Sequence, residues 1–324
     1  MREKFSTQTR ETVTGGSLMC TVYTLQIGKF SVILGAALLY GVLSGGSAAA
    51  ETLPGFTLNG EQWTYHDGNF KVNGYLVKPD GNGPFGAILV SHGKGGNAEV
   101  FALKKAREFA KWGLVTIAPE YTHSSREAGG KQGGGGTGGS QKGGQSQGKG
   151  KSTGDAAAAT RAANGMGKSV GYGGAGGVGA STENIRRAHT CIEILRSLPY
   201  IDSKRIAAFG HSMGGFATIA FAASEPETLR AAAITGSGVS AQSGIAYPTA
   251  EAAGNIRTPF LIMHGTADST VPPSASELFK EVLDKNHVPN ERHLFEGEKH
   301  PLDQSNPEKL YALLRQWLTR HGVI

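Results

Sequence analysis

Cysteine is nearly missing from this chain of 324 residues: there are two, Cys20 and Cys191. Cys20 lies in an N-terminal leader, so Cys191 would be alone after processing. That excludes an intramolecular disulfide in the mature chain and with it a disulfide-stapled scaffold; an ordinary apolar core has to hold the fold. Cys191 falls on the apolar side of an expected helix and reads as a small buried hydrophobe. Long apolar runs are scarce too. The run Phe30 to Leu43 counts 14 residues, against about 20 for a membrane-spanning helix. Charge is low at 18%, and the net +6 is not spread over the chain. Residues 1–50 carry +2 and residues 129–180 carry +5, leaving the remainder near −1. A body so close to neutral gives no argument for nucleic acid as a partner.

Residues 1–50 read as an export signal. Arg2, Lys4, Arg10 and Lys29 precede the apolar run, and Ser47-Ala48-Ala49-Ala50 follows it with a small-residue cleavage pattern ending near Ala50. No Cys stands just after the run, which argues against a lipid anchor. The expectation is a periplasmic or secreted protein without stable membrane insertion once the signal is cleaved. The alternative is an uncleaved N-terminal anchor.

Glycine, by contrast, is abundant: 49 residues, of which 21 fall in residues 129–180 among Ser, Gln, Lys and Ala. Such a segment cannot bury enough apolar surface to offset chain entropy, so it is expected to be a disordered insertion. It holds chance motifs. Gly167-Lys168-Ser169-Val170-Gly171 matches G-x-S-x-G without a strand before it. The Gly-Lys-Ser steps lack the upstream glycines of a phosphate loop.

The rest, residues 51–324 apart from that insertion, reads as one domain. Residues 61–79 alternate around Asp67-Gly68 as an antiparallel hairpin. Continuous apolar runs at Phe85 to Ser91, Leu114 to Ala118, Ala231 to Thr235 and Phe260 to Met263 suit strands buried on both faces. Between them lie segments of helical period: Val100 to Ala110 after a capping Asn97, Ile185 to Leu195, Ser274 to His287, and a closing helix at 307–321. Strand–helix alternation gives an α/β class, a mostly parallel central sheet with helices on both faces and the N-terminal hairpin antiparallel.

In such sheets chemistry gathers at the carboxyl ends of strands. Arg205 to Gly210 runs into Gly210-His211-Ser212-Met213-Gly214-Gly215 and then a small-residue helix, the order strand, sharp turn, helix. A serine there needs a base and a group to orient that base. Asp268, five residues after Met263 at the next strand end but one, and His300, before the closing helix, follow Ser212 in the order Ser, Asp, His. Asp268 would fix the imidazole, and His300 would take and return the Ser212 proton. The backbone N–H groups of Met213 and of Lys94, in His92-Gly93-Lys94-Gly95, would hold the oxyanion. His287 and His293 compete with His300 for the role of base. His92 and His211 shape the loops by hydrogen bonding, and His264 packs at a strand end. Tyr121, after the neighbouring strand, is a candidate substrate-binding residue together with His123. Nothing in this set calls for a metal or a cofactor.

These residues carry a resemblance. Val90-Ser91-His92-Gly93, the Gly210–Gly215 element, His264-Gly265-Thr266-Ala267-Asp268 and Glu298-Lys299-His300 make the chain similar to the α/β-hydrolase superfamily. Within it the chain resembles the dienelactone-hydrolase-like and prolyl-oligopeptidase-like esterases and peptidases. The resemblance covers most of residues 60–128 and 181–324. It implies an α/β-hydrolase fold and acyl transfer to water through an acyl-serine. Dienelactone hydrolases proper use a cysteine where this chain has Ser212, which favours ordinary serine esterase chemistry on a small-molecule ester. A prolyl-oligopeptidase-type peptidase is the second reading, though no propeller precedes the catalytic part. A non-catalytic envelope-binding protein on a hydrolase scaffold is the third. Acyl preference and oligomeric state are not encoded legibly.

Overall fold

The computed structural model describes residues 23–27 and 30–34 as backbone, and residues 53–123, 179–242 and 247–324 in full. The expected cleavage region near Ala50, most of the glycine-rich insertion and the Gly167–Gly171 motif lie outside the described residues. Two units are distinguished, Met1–Ala49 and Ala50–Ile324. In the first, strands β1 (Tyr23–Ile27) and β2 (Phe30–Leu34) pair antiparallel, Tyr23 opposite Leu34. The start of the apolar leader run is thus extended here.

The second unit is built on nine strands in the order β11-β10-β9-β8-β6-β7-β5-β4-β3. Strands β3 (Phe56–Asn59), β4 (Gln62–Asp67) and β5 (Phe70–Val77) form an antiparallel meander, and β5 pairs antiparallel with β7 (Leu114–Pro119). From β7 onward through β6 (Phe85–Ser91), β8 (Ile201–His211), β9 (Ala231–Thr235), β10 (Phe260–Gly265) and β11 (Asn290–Phe295), every pairing is parallel. The expected mostly parallel sheet with an antiparallel N-terminal hairpin is therefore present.

Helices cover both faces. On one side α1 (Ala98–Lys111) and the final helix, α7 (Pro307–Arg320), bury Ala102, Phe109, Leu310, Leu314 and Trp317 against the sheet. On the other, α2 (Thr182–Ser197), α3 (Met213–Ser224) and α5 (Pro273–Lys285) bury Ala188, Ile192, Leu195, Ile219, Phe279 and Leu283. Two single-turn helices, α4 (Ala250–Ala253) and α6 (Leu302–Ser305), complete the set. Asn97 caps α1 as expected, its side chain accepting from the Val100 N–H at 2.9 Å. Helix α3 is apolar all round and buried along its length, because it runs under the β8 end between the sheet and α2. Cys191 is fully buried on α2, and burial pushes its thiol well above the usual range, as suits a packing residue. Among the described residues no helix is long and apolar enough to cross a membrane.

Candidate active site

Ser212 sits between β8 and α3 with φ 54° and ψ −122°, one of two non-glycine residues with positive φ among those described. That conformation is sparsely populated and costs on the order of 1–3 kcal/mol, so the surroundings must impose it. They do so by close approach. A Cβ on Gly210 would stand 2.4 Å from the Gly214 carbonyl oxygen, and one on Gly214 would stand 2.1 Å from the Ser91 carbonyl oxygen. Neither position admits a side chain, so the turn is locked between β8, α3 and the end of β6. The Ser212 N–H donates to the Thr235 carbonyl at 2.9 Å, tying the turn to β9. Met213 opens α3, so its amide is at the positive end of that helix beside the serine.

Asp268 and His300 come together from two loops. Asp268 follows β10; its Oδ2 lies 2.7 Å from His300 Nδ1, and its Oδ1 accepts from the Thr270 and Val271 amides at 2.9 and 3.0 Å. The carboxylate side chain is fully buried, while the His300 side chain keeps 18% exposure. Burial works to raise the Asp268 carboxyl, but the His300 bond and the two amides outweigh it and hold the group below the usual carboxylate range. With Nδ1–H given to the carboxylate, His300 Nε2 is the nitrogen left to accept a proton. The ring of His211, next to Ser212 in sequence, lies 4.8 Å from that of His300, which brings the base to the serine turn. His287 and His293 are elsewhere: His287 follows α5 in a left-handed conformation and His293 binds Glu291 on β11.

The loop after β6 packs directly on the serine. A Cβ on Gly93 would lie 3.3 Å from Ser212 Cβ. Lys94 follows in an exposed turn. Behind the loop is a buried network. The Tyr121 N–H donates to His92 Nε2 at 3.1 Å, so His92 carries its proton on Nδ1 and donates to the Gly93 carbonyl at 3.0 Å. His123 Nε2 in turn donates to the His92 carbonyl at 2.9 Å, and its Nδ1 accepts from the Asn184 side-chain amide at 3.3 Å. Burial lowers His92 to about 3 and His123 to about 4, so both rings are neutral near pH 7.

Tyr121 is fully buried, and its hydroxyl hydrogen-bonds Ser91 Oγ at 2.9 Å, behind the loop. Burial raises its hydroxyl pKa. Tyr121 and His123 thus brace the loop from behind.

Four residues around the site are not singled out by the sequence. Asn184, fully buried on α2, binds His123, the Gly179 carbonyl and the Thr122 N–H, so it ties Thr122 and His123 to Gly179. Its place in a helix's first turn looks like an ordinary polar start. Lys105 of α1 and Asp303 of α6 form a buried ion pair at 2.7 Å, three residues beyond His300. Gly236, after β9, lies against the His300–Asp268 pair. Among the described residues no group of three or more His, Cys, Asp or Glu side chains is arranged to hold a metal.

Residues 72–318 match the profile of the Dienelactone hydrolase family. Among solved structures, esterase 2 of Thermogutta terrifontis matches with a TM-score of 0.55 at 18% identity, over 84% of this chain and 94% of that one. The acylaminoacyl peptidase of Pyrococcus horikoshii matches with a TM-score of 0.54 at 17% identity over 83% of this chain, and dipeptidyl peptidase 4 of Porphyromonas gingivalis with 0.54 at 16% over 78%. The chain spans 42% and 34% of the length of those two peptidases. No curated protein sequence matches it. At these identities the structural matches establish the α/β-hydrolase fold, and the profile, running over most of the chain, establishes the kinship: the chain belongs to the dienelactone hydrolase family.

Proposed function

We propose that the protein is a serine hydrolase that cleaves carboxylic esters through an acyl-serine intermediate. The observation that carries the reading is the 2.7 Å bond from His300 to a buried, doubly amide-anchored Asp268, next to a serine held in a strained turn. His300 Nε2 takes the Ser212 proton as Oγ attacks the ester carbonyl carbon. The negative charge that forms on the carbonyl oxygen is held by the amides of Met213 and Lys94. Collapse expels the alcohol, which leaves with the proton from His300. Water, deprotonated by the same nitrogen, then releases the acid and restores Ser212. Asp268 stabilises the imidazolium in both halves.

A serine where dienelactone hydrolases proper use a cysteine supports ordinary serine esterase chemistry over a dienelactone substrate. The similarity to an esterase that the chain covers at 94% of its length supports a compact esterase. The second reading, a peptidase, is favoured by the two peptidase neighbours, but only by a third to two fifths of their length. Export through the leader ending near Ala50 belongs to the proposal and is supported by the charged start and apolar run of residues 2–43.

The test is labelling with a fluorophosphonate. Ser212→Ala abolishes labelling and Ser169→Ala keeps it; labelling that survives Ser212→Ala overturns the assignment. Turnover of p-nitrophenyl esters set beside aminoacyl anilides then separates esterase from peptidase.

A further inference from the structure

Asp268 Oδ2 has two imidazole nitrogens beside it. One is His300 Nδ1 at 2.7 Å; the other is Nε2 of His264 at 3.2 Å. His264 is the penultimate residue of β10, and the turn that follows brings Asp268 back against it. The same Nε2 lies 2.9 Å from the Val271 carbonyl oxygen. Both neighbours are acceptors, so Nε2 carries the hydrogen; it donates to the Val271 carbonyl and brings the positive edge of the ring to within 3.2 Å of Oδ2. Nδ1 is then a bare acceptor, and it is buried without a hydrogen-bond partner among the described residues.

That orphan nitrogen is informative. His264 is fully buried, and leaving a buried polar atom unsatisfied is costly. A leucine or methionine would fill the same space without that cost. Packing alone therefore does not account for a histidine here, whereas the Nε2–H does.

We infer that His264 is a positioning residue for the reaction: its Nε2–H, bonded to the Val271 carbonyl, faces Asp268 Oδ2 at 3.2 Å, sharing that oxygen with His300 and fixing the carboxylate plane toward the base. The inference rests on the assignment of Ser212, His300 and Asp268 proposed above. The Thr270 and Val271 amides restrain Oδ1 only, so without His264 the other oxygen is held by its reaction partner alone. Other charged groups face these rings. Arg292 of β11 acts on His264 and is itself bound to Ser276 Oγ and the Pro273 carbonyl. His211 stands against His300, with Asp303 and Lys105 acting on His211 in turn. Removing the His264 N–H alters none of these. It leaves the full charge of Oδ2 to His300, which favours the imidazolium, and it loosens the aim of the carboxylate.

The experiment compares His264→Leu and His264→Gln with the unmodified enzyme on p-nitrophenyl acetate, counting competent sites by fluorophosphonate titration. His264→Leu should lower kcat per titrated site by about tenfold with KM within about twofold, as loss of one polar contact to a charged group implies. The acid limb of the kcat/KM profile should move to higher pH. His264→Gln, whose amide donates to the same oxygen, should recover most of both. In an Asp268→Asn background His264→Leu should cost nothing further. Should the leucine variant not fold, His264→Met gives the same comparison. A normal kcat per titrated site with an unmoved acid limb, or a full additional loss in Asp268→Asn, overturns the inference. The parent reading fails separately, if Ser212→Ala still turns over or Asp268→Asn leaves kcat intact.

Discussion

Gly236 lies flat against the His300–Asp268 pair: a Cβ built on it would stand 3.0 Å from His300 Nδ1 and 3.3 Å from Asp268 Oδ2. Its φ of +53° is a conformation glycine adopts readily. The residue after β9 thus forms the floor on which the acid and the base meet, and both its backbone angle and its missing side chain are needed. Gly236→Ala should therefore act twice. The backbone strain costs about 1 kcal/mol of stability. The methyl pushes the imidazole off line, and because small misplacements of reacting groups are costly, kcat should fall roughly ten- to a hundredfold with KM little changed. Urea unfolding and steady-state kinetics on p-nitrophenyl acetate read the two effects. A variant with normal kcat would show that the pair tolerates displacement.

Lys105 and Asp303 give a prediction about the turn that carries His300. Their side chains keep 4% and 9% exposure, and the Lys105 ammonium also sits 3.4 Å from the centre of the Phe101 ring. That ring is stacked at 5.9 Å on His211, so the pair joins α1, behind the loop that carries Lys94, to α6, behind His300. Burial pulls the Lys105 pKa down, but Asp303 opposes this. Lys105→Met leaves Asp303 buried and unpaired and should cost about 3–5 kcal/mol. Replacing both, Lys105→Met with Asp303→Leu, removes the orphan charge and should restore most of that stability. Thermal or urea unfolding of the single and double variants decides it; a double variant as unstable as the single would mean that the ionic geometry itself holds the turn.

How much of this was readable beforehand follows from physics rather than luck. Strands β6, β7, β9 and β10 are buried on both faces, so they stand out as continuous apolar runs. β3, Phe-Thr-Leu-Asn at the sheet edge, is exposed along most of its length and has no pattern to read. Ser212, Asp268 and His300 were legible because each follows a strand in a fixed order, and position on a strand end is a property of the sequence. The direction of a side chain there is not. Tyr121 also follows a strand, yet its ring turned inward to meet Ser91. Asn184 was illegible for another reason: its partners, His123 and Gly179, lie 61 residues before it and 5 residues before it, and only the closed fold brings them to one amide.

Tyr121→Phe probes the buried hydroxyl behind the loop. Removing the hydroxyl leaves Ser91 Oγ without that partner and should cost about 1 kcal/mol of stability. If the ring only supports the loop, kcat and KM for p-nitrophenyl esters should each stay within about twofold. A raised KM with unchanged kcat would instead put the hydroxyl in contact with substrate, against its complete burial.

Acid should unfold this protein through its buried histidines as well as its carboxylates. His92 and His123 are held neutral by burial, with pKa lowered to about 3 and about 4, and His211 is likewise lowered to about 4, first by burial and then by the His300 charge, against the pull of Asp303. In the unfolded chain each returns to about 6.5. Above that value both states are neutral and nothing changes with pH. Below it the unfolded chain binds protons that the folded chain refuses, so stability falls as pH drops from about 6.5 toward 4, by about 1.4 kcal/mol per pH unit for each histidine fully titrated on one side only. Discounting His211, which is only partly covered, the loop histidines alone predict a slope approaching twice that figure. His123→Asn should lower stability at pH 8, where its bond to the His92 carbonyl is lost, yet flatten the slope between pH 6 and 4.5 by about one proton. Urea midpoints and m-values at pH 8, 6.5, 5.5 and 4.5 measure both; a midpoint constant down to pH 5 would mean that these rings take up protons in the folded protein and that the loop behind Lys94 opens to let them.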